Sequence, residues 1–304
     1  MKFFVTGVCS QLGHDVMNEI IKRGYEVLGS DLMPEYSGTK DDSPASQAVY
    51  MPLDITDHAM VQQVFEAYRP DVVIHCAQWT PEDMGVDQTT TEKMTSINVE
   101  GTKNIAEACK GIDAKMIYHS NVAVFDGQGT EPWKPDCENT NPINAYGQTK
   151  LDGEKAVKSI LEKYFIVRTG WVFGPAGSNF ANSVLKEGII RGMLYMVTDQ
   201  FGTPTYTCDL ARLLVDMGES DKYGCYHAAN SGGYVSSFHY ASEIFKQAQL
   251  AVTVAPMTTE KCWLSSAPKP YNSMLDTTKL AEQGFEPLPD WKDAIDRYLT
   301  VLGI

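Results

Sequence analysis

The sequence has 304 residues, of which 43% are hydrophobic and 21% charged, which is enough for a large buried core in a globular protein. Its formal net charge of −14 at pH 7 argues against sequence-independent binding to nucleic acid or to anionic membrane surfaces. No apolar run reaches the roughly 20 residues of a membrane-spanning helix, and the seven cysteines include no C-x-x-C pair, so neither a zinc site nor a disulfide framework is indicated.

The chain opens with the pattern of a strand, a glycine turn and a helix. The β-rich run 2–6 precedes a turn bounded by Gly7 and Gly13, and apolar residues then recur at helical spacing. In a dinucleotide site the first glycine allows the tight turn and the last allows close helix packing, with the helix N-terminus facing the pyrophosphate. Ser10 takes the middle position, where its hydroxyl could donate to a phosphate oxygen; an ordinary strand–helix turn is the alternative. The predicted cofactor contacts here are Gly7, Ser10, Gln11, Leu12 and Gly13.

The next two strands carry carboxylates at their ends. Asp31 falls where a carboxylate accepts the hydroxyls of an adenosine ribose, and no arginine follows to receive a 2′-phosphate. This pattern favours NADH over NADPH, although Lys40 could still serve a phosphate. Asp57 is typical of a helix cap, which leaves Asp54 and its neighbour Ile55 to meet the adenine.

A continuous apolar run, 71–77, is typical of a strand buried on both faces of a parallel sheet. Its last residues, Cys76 and Ala77, would open onto the cofactor crevice. A helix is predicted over 97–108 and a strand over 115–120. Up to this point strands and helices alternate, which is the pattern of an α/β protein.

The order of these elements predicts an α/β fold with a doubly wound parallel sheet, Rossmann-like, and a smaller α/β substrate-binding lobe. Ligands in such sheets lie beyond the carboxyl ends of the strands, where Ser120 and Asn121 emerge. We assign 1–170 to the dinucleotide-binding domain, rejoined by about 205–222, and 171–304 mainly to the lobe. Helices are predicted near 178–190, 207–218 and 237–248.

Tyr146 and Lys150 form the candidate acid/base pair. They lie four residues apart in a stretch that opens like a helix, so they point the same way, roughly 6 Å apart at the stem. A phenol with an ordinary pKa of about 10 transfers protons poorly at neutral pH unless a neighbouring ammonium stabilises its anion. The spacing alone is weak evidence, because Tyr36 and Lys40 repeat it in a loop where no helix would align them.

Taken in this order, the motifs resemble the extended short-chain dehydrogenase/reductase family and, within it, the dTDP-4-dehydrorhamnose reductases. The resemblance covers nearly the whole chain and includes the segments 124–127, 131–136, 144–154, 168–172, 178–180, 199–205 and 267–275. The D-Q-x-G-x-P-T motif at 199–205 and the A-x-x-P-x-N-S-x-L motif at 267–275 are its most specific parts.

The resemblance implies NAD(P)H-dependent reduction of the C4 ketone of dTDP-4-dehydro-L-rhamnose to dTDP-L-rhamnose. The cofactor would supply hydride, and Tyr146 would donate a proton to the developing alkoxide. It further implies that Lys150 lowers the tyrosine pKa and holds the nicotinamide ribose, while Asn98 supports a water relay to that lysine.

The resemblance also implies substrate contacts. Trp171 would line the sugar pocket, and Asn179 and Gln200 would contact the nucleotide part of the substrate. Lys269 stands where the family more often has arginine; it can neutralise a diphosphate but lacks the bidentate fork. For Trp171 the alternative is a core aromatic, and for Asn179 it is a helix cap.

The sequence departs from the family within 119–127. Where the family has a hydroxyl that bonds the carbonyl oxygen being reduced, this chain has Asn121, and Val122 and Ala123 replace an Asp and a Tyr. An asparagine amide can still donate, whereas Ser120, one residue away on a strand, would face the other side. Losing one such donor costs roughly 2.7 to 4 kcal/mol of transition-state stabilisation. The candidate catalytic residues are Tyr146, Lys150, Asn121 and Ser120.

Two other functions remain open. The altered segment 120–123 suits a catalytically weak, cofactor-binding regulatory subunit resembling the β subunit of methionine adenosyltransferase; another nucleotide-sugar epimerase or dehydratase would share the fold. We expect a dTDP-sugar as substrate, NADH or NADPH as cofactor, no metal, no nucleic acid and no membrane, with a homodimer left open. Because the first glycine comes too early for a signal peptide, a cytoplasmic location is expected.

Overall fold

The structure is a computed structural model and describes residues 1–80, 88–261 and 270–304. The strands are β1 (Lys2–Thr6), β2 (Glu26–Asp31), β3 (Tyr50–Pro52), β4 (Val72–His75), β5 (Lys115–Asn121), β6 (Tyr164–Thr169), β7 (Val172–Phe173), β8 (Met193–Val197), β9 (Phe201–Gly202), β10 (Thr205–Tyr206), β11 (Gly224–His227), β12 (Asn230–Ser231), β13 (Val235–Ser236), β14 (Thr253–Met257), β15 (Asn272–Ser273) and β16 (Leu288–Asp290). The helices are α1 (Gln11–Lys22), α2 (His58–Tyr68), α3 (Gln88–Thr95), α4 (Thr102–Ile112), α5 (Ala145–Ile160), α6 (Phe180–Arg191), α7 (Thr207–Gly218), α8 (Ser237–Gln247), α9 (Thr278–Glu282) and α10 (Trp291–Leu302). None of the helices in these ranges is long and apolar enough to cross a membrane.

Seven parallel strands form the main sheet, in the order β11-β6-β5-β4-β1-β2-β3. The sheet grows outward from β1 in both directions, so the crevice between the ends of β1 and β4 is the topological switch point where such sheets bind ligands. All four residues of β4 are buried, as expected for a strand covered on both faces. The predicted doubly wound parallel α/β fold is confirmed.

Helices cover both faces of this sheet. On one face α1 and α7 pack over Phe3, Ile74 and Val167, and on the other α2, α4 and α5 pack over Phe4 and Met116. Helix α7 lies against α1, and β11, which follows it, is the seventh strand of the sheet. Some residues that follow β6 in the chain, those of α7 and β11, therefore belong to the main sheet and its covering helices. The domain boundaries at 170 and 205–222 stay a prediction.

The substrate lobe predicted for 171–304 has its own apolar core. Helices α6, α8 and α10 enclose the aromatic residues Phe173, Tyr240 and Tyr298. The predicted helices near 178–190, 207–218 and 237–248 correspond to α6, α7 and α8. Helix α10 was not among the predicted elements, although Asp290 caps its N-terminus and apolar residues recur at helical spacing from Trp291.

The helix predicted over 97–108 is divided in the structure. A π-helical turn, Ser96–Gly101, separates α3 from α4. Gly101 permits close packing here, because a Cβ on it would lie 2.7 Å from the Ile55 side chain. Such single π-helical turns frequently occur at functional sites, and this one contains Asn98, which joins the loop after β4 to α5.

Candidate active site

The turn between β1 and α1 is packed so closely that two of its positions require glycine. Gly7 has a φ of +73°, and a Cβ on it would lie 2.5 Å from the Ala77 backbone nitrogen. A Cβ on Gly13 would lie 2.1 Å from the Gly7 carbonyl oxygen. Only glycine fits at both positions, and the same contacts bring Cys76 and Ala77, which follow β4, against the turn.

The first turn of α1 presents backbone N–H groups to this turn. Because the first N–H groups of a helix have no intrahelical acceptor, those of Gln11 and Leu12 are suited to an anion. The Ser10 hydroxyl accepts from the Gly13 N–H at 3.1 Å and donates to the Gly7 carbonyl at 2.7 Å. The predicted donation from Ser10 to a phosphate does not agree with this geometry, because the hydroxyl proton is donated to the Gly7 carbonyl.

Of the two carboxylates predicted to meet the adenosine, only Asp31 lies against the glycine turn. Its Oδ2 accepts from the Cys9 N–H at 2.9 Å. Asp54 is exposed and accepts from the N–H and hydroxyl of Thr56, and the side chain of Ile55 is buried against α4 and Gly101. Contact of Ile55 with an adenine would therefore have to come from its backbone, and the roles of all three residues stay predictions.

Tyr146 and Lys150 lie together on the first turns of α5. The helix begins where predicted because the Asn144 side chain accepts from the Gly147 N–H at 2.8 Å. Lys150 is 1% exposed; its Nζ donates to the His119 carbonyl at 2.8 Å and lies 4.3 Å from the centroid of the Tyr118 ring. The second Tyr/Lys spacing makes no such pair, because a 2.6 Å hydrogen bond joins the Tyr36 hydroxyl to His14.

Burial controls the charges around this lysine. It lowers the pKa of Lys150 to about 7, although the nearby Glu154 and Cys76 favour its charged form. Burial, and then the charge of Lys150, lower the pKa of both His75 and His119 to about 3. Both imidazoles are therefore neutral at pH 7, so neither adds a positive charge near Lys150.

Asn98 joins the loop after β4 to α5. Its Oδ1 accepts from the Trp79 N–H at 2.8 Å, and its Nδ2 donates to the Trp79 carbonyl at 3.1 Å and to the Thr149 hydroxyl at 3.0 Å. The side-chain amide is thus directed at residues beside Lys150 rather than at Lys150 itself. A water relay through Asn98 stays a prediction.

Asn121 and Ser120 differ in their access to the crevice. The Oδ1 of Asn121 caps the short turn that follows β5, accepting from the Ala123 N–H at 2.9 Å. Ser120 is 0% exposed, and its hydroxyl donates to Glu154 at 2.6 Å on the opposite side of the strand. The prediction that Ser120 is catalytic does not agree with this placement, because a fully buried hydroxyl bound to a carboxylate cannot reach a substrate.

A buried ion pair beneath the site was missed by the sequence analysis. Arg168 of β6 contacts Glu154 of α5 through two hydrogen bonds of 2.8 and 2.6 Å, and both side chains are almost fully buried. Arg168 also donates to the Pro135 carbonyl at 3.2 Å. The only signal in the sequence is a carboxylate on the helix and a guanidinium on an otherwise apolar strand, two residue types that are rarely buried unless paired.

Gln78 was also missed. It follows Ala77 directly at the carboxyl end of β4, and its Oε1 lies 3.4 Å from the Tyr146 hydroxyl. A polar residue after the apolar run 71–77 is the signal that could have found it, because the carboxyl ends of parallel strands line the ligand crevice.

Trp171 follows the end of β6, at the start of the predicted substrate lobe. Trp171 has a φ of +45°, which is uncommon for a bulky residue and occurs most often at functional sites. Its indole lies flat on β9, since a Cβ on Gly202 would be 2.4 Å from the ring. The centroid of the ring is also 6.2 Å from that of Tyr240, so Trp171 packs against the apolar core that contains Phe173 and Tyr240.

The other predicted substrate residues are placed less favourably. Asn179 caps α6, accepting from the Asn182 N–H and donating to the Gly174 carbonyl, both at 2.9 Å, which agrees with the helix-cap alternative. Its contact with a nucleotide stays a prediction. Lys269 lies outside the described residues.

Gln200 donates to the Thr259 hydroxyl at 3.1 Å. Near Gln200 a cleft of about 460 Å³ is lined by Tyr195, Thr198, Pro256, Met257, Thr258 and Lys261.

Comparison with known proteins identifies the family. The model of the family described as RmlD substrate binding domain matches residues 1–303. The chain belongs to this family. A curated relative, the dTDP-4-dehydrorhamnose reductase of Mycolicibacterium smegmatis, is 36% identical over 310 residues, which cover 99% of this chain and 86% of the relative.

Solved structures agree with membership of the RmlD substrate-binding family. A dTDP-4-dehydrorhamnose reductase from Clostridium acetobutylicum is 33% identical, with a TM-score of 0.88 over 100% of both chains. A second, from Bacillus anthracis in complex with NADP, is 33% identical, with a TM-score of 0.86 over 98% of both chains. The resemblance predicted from the sequence is confirmed. In the described ranges 1–80, 88–261 and 270–304, no group of three or more His, Cys, Asp or Glu residues could hold a metal ion.

Proposed function

We propose that this chain is an NAD(P)H-dependent dTDP-4-dehydrorhamnose reductase, which reduces the C4 ketone of dTDP-4-dehydro-L-rhamnose. The observation that carries the proposal is the Tyr146/Lys150 pair on α5, at the carboxyl ends of β4 and β5 and beside a cofactor turn that only glycine fits. Membership of a family that includes several dTDP-4-dehydrorhamnose reductases supports the assignment of the substrate.

The residues of the chain can carry the proton chemistry. When bound, the nicotinamide supplies a hydride to the ketone carbon. As the carbon–oxygen π bond breaks onto oxygen, the Tyr146 hydroxyl donates its proton to that oxygen, and a secondary alcohol results. The Lys150 ammonium, held by the His119 carbonyl, then stabilises the phenolate until solvent returns a proton.

The proposed cofactor preference rests on Asp31. Its carboxylate lies beside the Cys9 N–H of the glycine turn, where it would accept ribose hydroxyls and repel a 2′-phosphate. We therefore propose a preference for NADH, although the Bacillus anthracis relative is in complex with NADP. Asp31→Ala should lower kcat/KM for NADH more than for NADPH, and an unchanged ratio would contradict the preference.

The function is tested with purified protein, dTDP-4-dehydro-L-rhamnose and each reduced cofactor. We expect oxidation of NADH or NADPH, with dTDP-L-rhamnose identified by mass spectrometry. Tyr146→Phe should lower kcat at least about 100-fold, since general acid catalysis contributes 10²–10⁴-fold. Tyr36→Phe, at the other Tyr/Lys spacing, is the matched control and should keep the wild-type kcat.

The same assay separates the competing functions. A regulatory subunit would oxidise neither cofactor, and an epimerase or dehydratase would retain bound NAD and regenerate it in each cycle. Either result would contradict the proposal. A homodimer, the cytoplasmic location and the absence of nucleic-acid and membrane partners stay predictions, and light scattering of the purified protein tests the first.

A further inference from the structure

We propose that Gln78 is a catalytic residue whose side-chain amide donates a hydrogen bond to the ketone oxygen that Tyr146 protonates. The inference rests on the proposed ketone reduction and assigns a second donor to the same oxygen. Gln78 follows the carboxyl end of β4, and its Oε1 lies 3.4 Å from the Tyr146 hydroxyl. An oxygen that receives the tyrosine proton therefore lies within reach of this amide.

The position of Gln78 is held by its neighbour in the chain. Asn98 binds both the N–H and the carbonyl of Trp79, at 2.8 and 3.1 Å. The same amide donates to the Thr149 hydroxyl at 3.0 Å, and Thr149 donates to the Tyr146 carbonyl at 2.9 Å. A continuous set of hydrogen bonds thus fixes the backbone beside Gln78 relative to the proton donor, which is the preorganisation that oxyanion stabilisation requires.

The segment 120–123 at the end of β5 retains one side-chain amide donor, the Nδ2 of Asn121. The Ser120 hydroxyl is buried and bound to Glu154, while the Oδ1 of Asn121 is turned towards the Ala123 N–H. Val122 and Ala123, which follow, carry no polar side-chain atoms. Gln78, in the segment that follows the neighbouring strand β4, is the amide that the structure places beside the Tyr146 hydroxyl.

The chemistry requires no group beyond those of the proposed reaction. Without substrate, the Tyr146 hydroxyl donates to the Gln78 Oε1. With a ketone bound, Tyr146 turns to the ketone oxygen and the Gln78 Nε2 donates to it. As hydride reaches the carbon and the π electrons move onto oxygen, Tyr146 transfers its proton and Gln78 keeps both of its own. The amide stabilises the developing negative charge and is itself chemically unchanged at the end of the reaction.

Two substitutions at Gln78 test the proposal. Gln78→Leu removes the donor at similar size and should lower kcat about 100-fold, with KM changing much less, because the lost contact is stronger in the transition state. Gln78→Glu keeps the shape but donates only when its carboxyl is protonated. Its kcat relative to wild type should therefore rise as the pH falls, whereas the deficit of Gln78→Leu should not depend on pH. Ratios to wild type at each pH remove the titrations that the substitution leaves unchanged.

Controls distinguish loss of the Gln78 donor from misfolding of the variants and from a wrong assignment of the substrate. Gln148→Leu makes the same change on the exposed face of α5, where Gln148 bonds Asp152, and should keep the wild-type kcat. Cofactor affinity and thermal unfolding should match wild type in all three variants. The ratios are measured with whichever keto-sugar the wild type reduces, so failure of the dTDP-sugar assignment is seen separately. A wild-type kcat in Gln78→Leu, or a loss confined to KM, would overturn the role of Gln78.

Discussion

At the scale of single residues, Lys150 is a basic side chain in a buried environment that disfavours its charged form. It is 1% exposed, and burial lowers its pKa from an ordinary 10.5 to about 7. The His119 carbonyl and the Tyr118 ring face its ammonium, and these contacts favour the charged form. Burying this side chain therefore costs the folded protein stability at neutral pH, whether the amine is charged or has lost its proton.

We expect Lys150→Met to be more stable than wild type at pH 7, by on the order of 2 kcal/mol, because the variant avoids burying a charge. Between about pH 7 and pH 10 the unfolded chain binds a proton at Lys150 that the folded chain does not, so the stability of the wild type rises with pH. The difference in the free energy of unfolding between Lys150→Met and wild type should therefore decrease from pH 7 to pH 9.5, as measured by urea unfolding. The exposed Lys155→Met is the matched control, and a gap that did not depend on pH would contradict the assignment.

At the scale of elements, polar contacts fix α5 on both sides of the Tyr146/Lys150 pair. Asn144 caps its first turn next to Tyr146, and one turn beyond Lys150 the Glu154 carboxylate binds Arg168 of β6 and Ser120 of β5. These contacts fix the depth and rotation of the helix against two strands. The orientation of the Tyr146/Lys150 pair therefore depends on polar contacts made by buried residues that no substrate touches.

Glu154→Ala should destabilise the protein by roughly 3 to 5 kcal/mol, because it leaves the Arg168 guanidinium buried without a counter-charge. Asp152→Ala provides the control on the same helix. Asp152 pairs with Lys155 at the surface, and such exposed pairs contribute at most about 1 kcal/mol. Chemical denaturation measures both variants, and equal losses would contradict a structural role for the buried pair.

At the scale of the whole molecule, folding and cofactor binding are linked. The site joins the turn after β1, the end of β4 and the start of α5, which meet only in the folded sheet. A ligand that binds only the folded state stabilises it, by about 2.7 kcal/mol at 100 times its Kd. Nicotinamide cofactors should therefore raise the unfolding temperature of the wild type.

Gly13→Ala should abolish this stabilisation, because its Cβ would lie 2.1 Å from the Gly7 carbonyl and would displace the turn. Gly111→Ala is the matched control, since Gly111 is exposed on α4 and has no atom closer than 3.9 Å to an added Cβ. This variant should keep the cofactor-induced shift and gain slightly in stability from its higher helix propensity. Differential scanning fluorimetry with NADH and NADPH measures both, and a wild-type shift in Gly13→Ala would contradict the assigned turn.

The sequence by itself determined the fold class and the order of the elements. Glycine spacing, the apolar run 71–77 and the four-residue spacing of Tyr146 and Lys150 are local patterns, and each arises from the geometry of one turn, strand or helix. The cap of α5 and the helices α6 and α8 followed from the same kind of pattern. These signals involve neighbouring residues, so they can be recognised without knowing how the elements pack.

Only the tertiary structure decided which polar groups are available for chemistry. Ser120 and Asn121 are adjacent in sequence, yet one is bound to Glu154 beneath the sheet and the other caps a turn. Gln78 meets Tyr146 across a separation of 68 residues, through a contact that no local pattern predicts. A polar side chain can act on a substrate only if the fold has not already used its hydrogen bonds, and the packing of β4, β5 and α5 determines this.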